Sequence, residues 1–209
     1  HTGAFVSAYV LDGRHGFAQG FAVYDDDFGW LQGWSDTAGG RIAAWVRRKL
    51  DPVHVLERSG EQTVAQALAW RDSVDDGPVF MWVHLFDPHG PYTPPSPWDT
   101  AYYEGDPRSE EHRSMAEVRG VPDYMLPSMA GITDVAWVRA QYAGEVSAVD
   151  AVVGELLESL PGADEAVVML LGDHGESLGD NGVWFHHGGD LRGPELDIPM
   201  VLRYPARVP

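Results

Sequence analysis

The feature that most restricts the fold is a run of six apolar residues, Ala166 to Leu171 (AVVMLL), that stops at Gly172-Asp173-His174-Gly175. Unbroken hydrophobicity over that length predicts a strand buried on both faces, and such strands belong to parallel sheets. In open sheets of this kind ligands sit beyond the carboxyl ends of the strands, so an Asp-His pair placed there is a candidate metal or oxyanion site. Asp173 offers a hard oxygen and His174 a borderline nitrogen, two ligands for one divalent cation. Gly172 and Gly175 are expected to permit the backbone turn that points both side chains at one ion. Glu176 stands ready to orient an imidazole or form a salt bridge. The stretch Gly182 to Gly188 then returns His186 and His187 at the distance a loop needs to fold back over the same site.

The rest of the chain alternates strands and helices. Thr2 to Val10 reads as an interior strand closed by turn chemistry at Leu11 to Gly16. Apolar spacing predicts helices over Arg41 to Leu50 and Glu61 to Val74, the second capped by Ser59. Val79 to Phe86 (VFMWVHLF) reads as a second buried strand, Val138 to Leu160 as the strongest helix, and Ile198 to Leu202 as a last strand. A helix followed by a buried strand is the grammar of a parallel sheet. The expected fold is therefore α/β, a mostly parallel central sheet with helices on both faces, in one domain over 1–209. Residues 94–135 are polar, Pro-rich and weakly periodic, as a lid or substrate loop would be.

Of the nine histidines, His89 draws notice because Pro88 and Pro91 fix the loop that carries it past a strand's end, where a general acid or anion contact would be placed. His84, inside the strand, reads as a core histidine, and His15, His54 and His112 as structural bystanders. The acidic triplet Asp25-Asp26-Asp27 reads as a solvated turn, and Glu145 and Asp150 as polar or boundary positions of their helix.

Charge and composition narrow the partners. Thirty-two acidic residues against 14 basic ones give a net charge of -18, which disfavours nucleic acid because phosphate contacts need clustered Lys and Arg. An acidic shell also repels small anions at long range, so an anionic ester would have to be held by a local metal and a few histidines. The absence of cysteine rules out thiolate ligands and a cysteine nucleophile within these residues. No apolar run reaches the ~18 to 20 residues that span a bilayer, and no leader is visible at the start. The compartment and the oligomeric state stay open.

GDHGESLGDNG with the later HHGGDLRGPELDIPMV resembles the C-terminal core motif of the sulfatases, within the alkaline-phosphatase superfamily. WVHLFDPHGPYTPP resembles that family's strand-and-histidine motif, TGAFVSAYVLDGRHGFAQGFAVYDD its second core strand and following loop, and QYAGEVSAVDAVVGELLESL its helix before the metal strand. The resemblance implies that Asp173 and His174 are metal ligands, the second being Asn or Gln in many relatives. It also implies that His89 contacts the sulfuryl oxygens or the leaving group. His187, less surely His186, would take the place of a substrate-binding Lys or His. The implied cofactor is one divalent ion, Ca²⁺ by resemblance, with Mn²⁺, Mg²⁺ or Zn²⁺ as alternatives, and the implied substrate is a small anionic ester.

The chain departs from the family pattern in lacking the acidic pair of the first strand and the Cys/Ser-x-Pro-x-Arg nucleophile motif. The expectation is a central portion of a longer sulfuric ester hydrolase, without the C-terminal subdomain and inactive by itself. A phosphodiester or phosphonate hydrolase, or phosphoryl transferase, of the same superfamily is the second expectation, and a non-catalytic metal-binding relative the third.

Overall fold

A computed structural model describes residues 1–28, 57–189 and 191–204. The helix expected over Arg41 to Leu50, and His54, lie outside the described residues. The chain forms two compact units, His1–His89 with Val149–Leu160, and Gly90–Ala148 with Pro161–Pro209.

The first unit is built on a parallel sheet of order β2-β1-β3, with β1 (Thr2–Val6) flanked by β2 (Val23–Asp25) and β3 (Phe80–His84). Ala4, Phe5 and Val6 are fully buried, as a central strand of mixed β-branched and aromatic residues should be. Helix α1 (Gly60–Ser73) starts at a capping box: the Ser59 side chain accepts from the Gln62 N–H while the Gln62 side chain accepts from the Ser59 N–H. Its Trp70 lies against Phe5, with ring centroids 5.6 Å apart, and so close to Gly3 that a Cβ there would come within 2.9 Å of the indole.

β1 is shorter than the expected Thr2 to Val10. The buried Ser7 hydroxyl, 2.7 Å from Thr63 Oγ1 and 2.8 Å from the His84 carbonyl, draws the chain out of the ladder. Short 3₁₀ turns follow at Tyr9–Leu11 and Gly13–His15. The acidic triplet is not simply solvated, as expected, because Asp25 pairs with Arg58 and Asp26 accepts the Gly13 N–H. His84 is half-buried between Trp82 and Phe86, and exposed His15 meets Tyr9 edge to face.

The second unit has its core in Tyr92, Met125, Met129, Ile132, Val138 and Phe185, and in Val135 at the start of helix α2 (Val135–Ser159). Residues 94–135 are irregular as expected, with 3₁₀ turns at Trp98–Thr100 and Ser114–Glu117, yet they supply much of this core. Glu145, expected at a polar or boundary position of α2, is in fact buried, and its carboxylate accepts the Thr93 N–H. Beside it Gly144 has no room for a Cβ, which would meet Trp98 O at 2.6 Å.

Strand β4 (Val168–Leu171) corrects the opening expectation. It pairs antiparallel with β7 (Met200–Arg203), and its side chains are not buried on both faces: Met169 is 58% exposed and Leu171 55%. A two-stranded ribbon pairs backbone groups along one edge while leaving both of its faces open, and among the described residues β7 is the strand hydrogen-bonded to β4. Between them lie β5 (Ser177–Leu178), β6 (Trp184–His186) and the single helical turn α3 (Gly193–Leu196).

Candidate metal and ester site

The loop that leaves β4 carries the candidate site. Gly172 and Gly175 are expected to permit the turn, and neither does so through a positive φ. The requirement at Gly175 is space: a Cβ there would run into the Pro194 carbonyl, and the Gly175 N–H donates to the Glu195 carbonyl at 2.8 Å. Close packing against α3 therefore holds the turn.

Within that turn Asp173 and His174 come together. Asp173 Oδ1 accepts the His174 backbone N–H at 2.9 Å and lies 3.7 Å from His174 Nε2. His174 Nδ1–H donates to the Gly175 carbonyl at 2.8 Å, which orients the ring and leaves Nε2 on the Asp173 side. A carboxylate oxygen and an imidazole nitrogen facing one another, in exposed side chains, are donors of the kind a divalent ion takes from a protein.

His187 arrives from the strand pair β5–β6. Its ring stacks on His174 with centroids 4.0 Å apart and 25° between planes, while His186, on β6, is 6.1 Å from His187. Of the two adjacent histidines, His187 is the one laid against His174. Its Nδ1–H donates to Glu176 Oε2 at 2.6 Å, and Glu176 Oε1 accepts from the Tyr92 hydroxyl at 2.8 Å. The Glu176 hydrogen bond raises the His187 pKa above the ordinary histidine value, against the opposing effect of burial. Burial, and then the charge of Glu176, push the Tyr92 phenol well above the usual tyrosine range, so it stays a donor.

Among the described residues, one group of donors lies close enough to share an ion: His174, Glu176 and His187, with ligand atoms within 4.8 Å of one another. Two residues that the sequence did not single out frame this group. Tyr92 comes from the Pro-rich loop that begins the second unit. Glu195, buried, accepts from the Ser177 hydroxyl at 3.2 Å and the Gly188 N–H at 2.8 Å, which pins the residues just after Glu176 and His187. No local pattern distinguishes Glu195 from the other acids of the chain, because its partners are 18 and 7 residues away.

His89 belongs to the first unit. Its ring stacks on Phe86 at 4.2 Å, and its backbone N–H donates to the Phe86 carbonyl at 3.2 Å, so the loop past β3 is held by its own strand end as the flanking prolines led us to expect. No described helix is long and apolar enough to cross a membrane.

Comparison with known proteins agrees with these motifs. The sulfatase family model matches residues 15–209. A choline-sulfatase of Rhizobium meliloti is 24% identical over 228 residues, covering 95% of this chain and 43% of that protein, so the chain spans less than half of its curated relative. Two solved phosphonate monoester hydrolases share the fold. The one from Agrobacterium radiobacter has a TM-score of 0.56 at 15% identity over 98% of this chain and 50% of that one. The one from Silicibacter pomeroyi has a TM-score of 0.54 at 21% identity over 71% of this chain and 34% of that one. Sulfatase-family proteins use a divalent metal, and the donors around His174 are of a kind to hold one. With an α/β architecture, the motifs in order and the family model matched over residues 15–209 of the chain, this chain belongs to the sulfatase family.

Proposed function

We propose that the protein containing this chain hydrolyses a sulfate ester, and that this chain supplies part of a metal site together with histidines that handle the ester. The observation that carries the reading is the geometry of His174: with Nδ1 bonded to the Gly175 carbonyl, Nε2 is the nitrogen left facing Asp173 Oδ1, 3.7 Å away. Asp173 and His174 would hold the ion, which supplies neutralisation of the negative charge on the transferring group. His187, held by Glu176 through Nδ1, would hold a proton for the ester oxygens or the leaving group on its other nitrogen. His89 would act on the leaving-group side. His186 has no part in this arrangement.

A phosphonate or phosphate ester is the second reading. The mixed oxygen and nitrogen donor set suits Mn²⁺ or Zn²⁺, whereas Ca²⁺ prefers oxygen alone. Two fold relatives are phosphonate monoester hydrolases. The test compares an aryl sulfate, choline sulfate and a matched aryl phosphonate monoester as substrates of the whole protein. Sulfate ester hydrolysis should dominate, and Asp173→Ala or His89→Ala should lower it by about 10² or more. Wild-type rates in both variants, or turnover of the phosphonate alone, would overturn the sulfatase reading.

A further inference from the structure

Among the described residues Glu176 lies in the donor cluster that could be read as a three-residue metal site, yet its hydrogen bonds give it different work. Each carboxylate oxygen already receives a donor, Oε1 from the Tyr92 hydroxyl at 2.8 Å and Oε2 from His187 Nδ1 at 2.6 Å. The Glu176 side chain is only 6% exposed, against 81% for Asp173 and 41% for His174. The two residues that face solvent are those read as ligands; the enclosed one faces a phenol and an imidazole.

We propose that Glu176 is a positioning residue for His187, itself set by Tyr92, so that the chain Tyr92–Glu176–His187 fixes which ring nitrogen of His187 is turned toward the ester. An imidazole held only by stacking can rotate by half a turn about its Cβ–Cγ bond, exchanging each nitrogen for a carbon at nearly the same energy. The Glu176 bond removes that degeneracy, since only one orientation places Nδ1–H on the carboxylate. Nε2 is then always the nitrogen on the far side of the ring. Glu195 holds the backbone to match: through Gly175, Ser177 and Gly188 it anchors both ends of the loop pair that carry Glu176 and His187. Tyr92 completes the chain from the buried core, where it packs edge to face on Phe185 at 6.2 Å. Orientation of a proton-handling imidazole therefore rests on the packing of the second unit rather than on the ion.

This inference rests on the reading of His187 as an ester-facing group, and the test separates the two. In the whole, metal-loaded protein, kcat and KM for the best ester, bound metal per chain and the ¹⁵N spectrum of the histidine rings are measured for wild type, Glu176→Leu, Glu176→Gln and Tyr92→Phe. Wild type should show a protonated Nδ1 on His187. Glu176→Leu should lower kcat about 10- to 100-fold, the range seen when an orienting partner is removed, with KM little changed, metal content intact and the Nδ1–H signal lost. Glu176→Gln should recover most of that rate: its carbonyl still accepts from Nδ1–H, and its NH₂ can donate to the Tyr92 oxygen. Tyr92→Phe should fall between wild type and Glu176→Leu.

Loss of bound metal in Glu176→Leu and Glu176→Gln alike would make Glu176 a ligand and overturn the proposal. An unchanged kcat in Glu176→Leu would do the same. If that variant does not fold, Glu176→Gln, Tyr92→Phe and the wild-type spectrum decide, and an unprotonated Nδ1 in wild type is fatal. If wild type shows the Nδ1–H signal but turns over none of the esters, the hydrolase reading fails while the positioning geometry stands.

Discussion

Two of the carboxylate–histidine pairs described in the second unit, apart from Asp173–His174 in the GDHG turn, differ in what else their carboxylates hold. His112 Nδ1 lies 3.4 Å from Asp134 Oδ2, and His187 Nδ1 lies 2.6 Å from Glu176 Oε2. Asp134 is committed to the backbone: Oδ1 accepts the Ala136 N–H at the start of α2 and the Ser114 hydroxyl, Oδ2 accepts the Tyr103 hydroxyl, and the Ser114 oxygen accepts the Val135 N–H. His112 is a partly exposed addition to a helix start that is already satisfied. Glu176 accepts nothing from the backbone among its hydrogen bonds described above; its partners are a buried phenol and one imidazole that stacks on the histidine of the GDHG turn. Proximity of an acid to a histidine is thus a poor guide to function. What separates the pairs is where the carboxylate's remaining hydrogen bonds go.

The sharpest way to break this contrast is at the packing beneath Glu176. Phe185 is fully buried, takes a positive φ of 52° and supports Tyr92. Phe185→Ala should cost about 3 to 5 kcal/mol in thermal unfolding, and where the variant still folds the His187 Nδ1–H signal should weaken. A stable variant with that signal unchanged would show that the chain through Tyr92 does not depend on the core.

Asp134→Ala should cost about 1 to 2 kcal/mol as the helix loses its cap, with metal content and the His187 signal unmoved. A change at His187 would erase the distinction between the pairs. The cost should also depend on pH. Burial alone would raise the Asp134 pKa, but the Ala136 N–H, Ser114 and Tyr103 hydrogen bonds and the nearby His112 outweigh it and hold the pKa below the ordinary 3.8. A depressed acid pKa gives stability that is present above the unfolded value and is lost as pH falls through the folded one. The gap in melting temperature between wild type and Asp134→Ala should therefore be full near neutrality and close below about pH 3.8. A gap that stays constant down to acid would remove Asp134's charge from the account. Smallest of all, His112→Ala should change stability by no more than about 0.5 kcal/mol, as expected for an exposed ion pair.

Much of this protein is written locally. The Ser59-x-x-Gln62 pattern predicts a capped helix and α1 has it, because a capping box closes within one turn. The end of β4 at Gly172 and the meeting of Asp173 with His174 are equally local, since adjacent residues need only a tight turn to converge. The same short range explains the motif resemblance that identified the family. Charge and composition, which are sums, set only the expectation that nucleic acid is not a partner.

Other features depend on residues far apart, and the sequence carries no mark of them. Hydrophobicity located β4 but not its exposure, because burial depends on what lies over a strand and not on the strand itself. Nothing in the Pro-rich stretch marks Met125, Met129 and Ile132 as residues that turn inward around Tyr92. Glu145 reads as a polar or boundary position of its helix and Glu195 carries no signal at all, yet both are buried, with the N–H groups they accept from 52 and 7 residues away. In the same way His186 and His187 are equivalent as neighbours in a string. In the fold they differ: Glu176, on a backbone that Glu195 holds, bonds His187, because a hydrogen bond is decided by position in space and not by order along the chain.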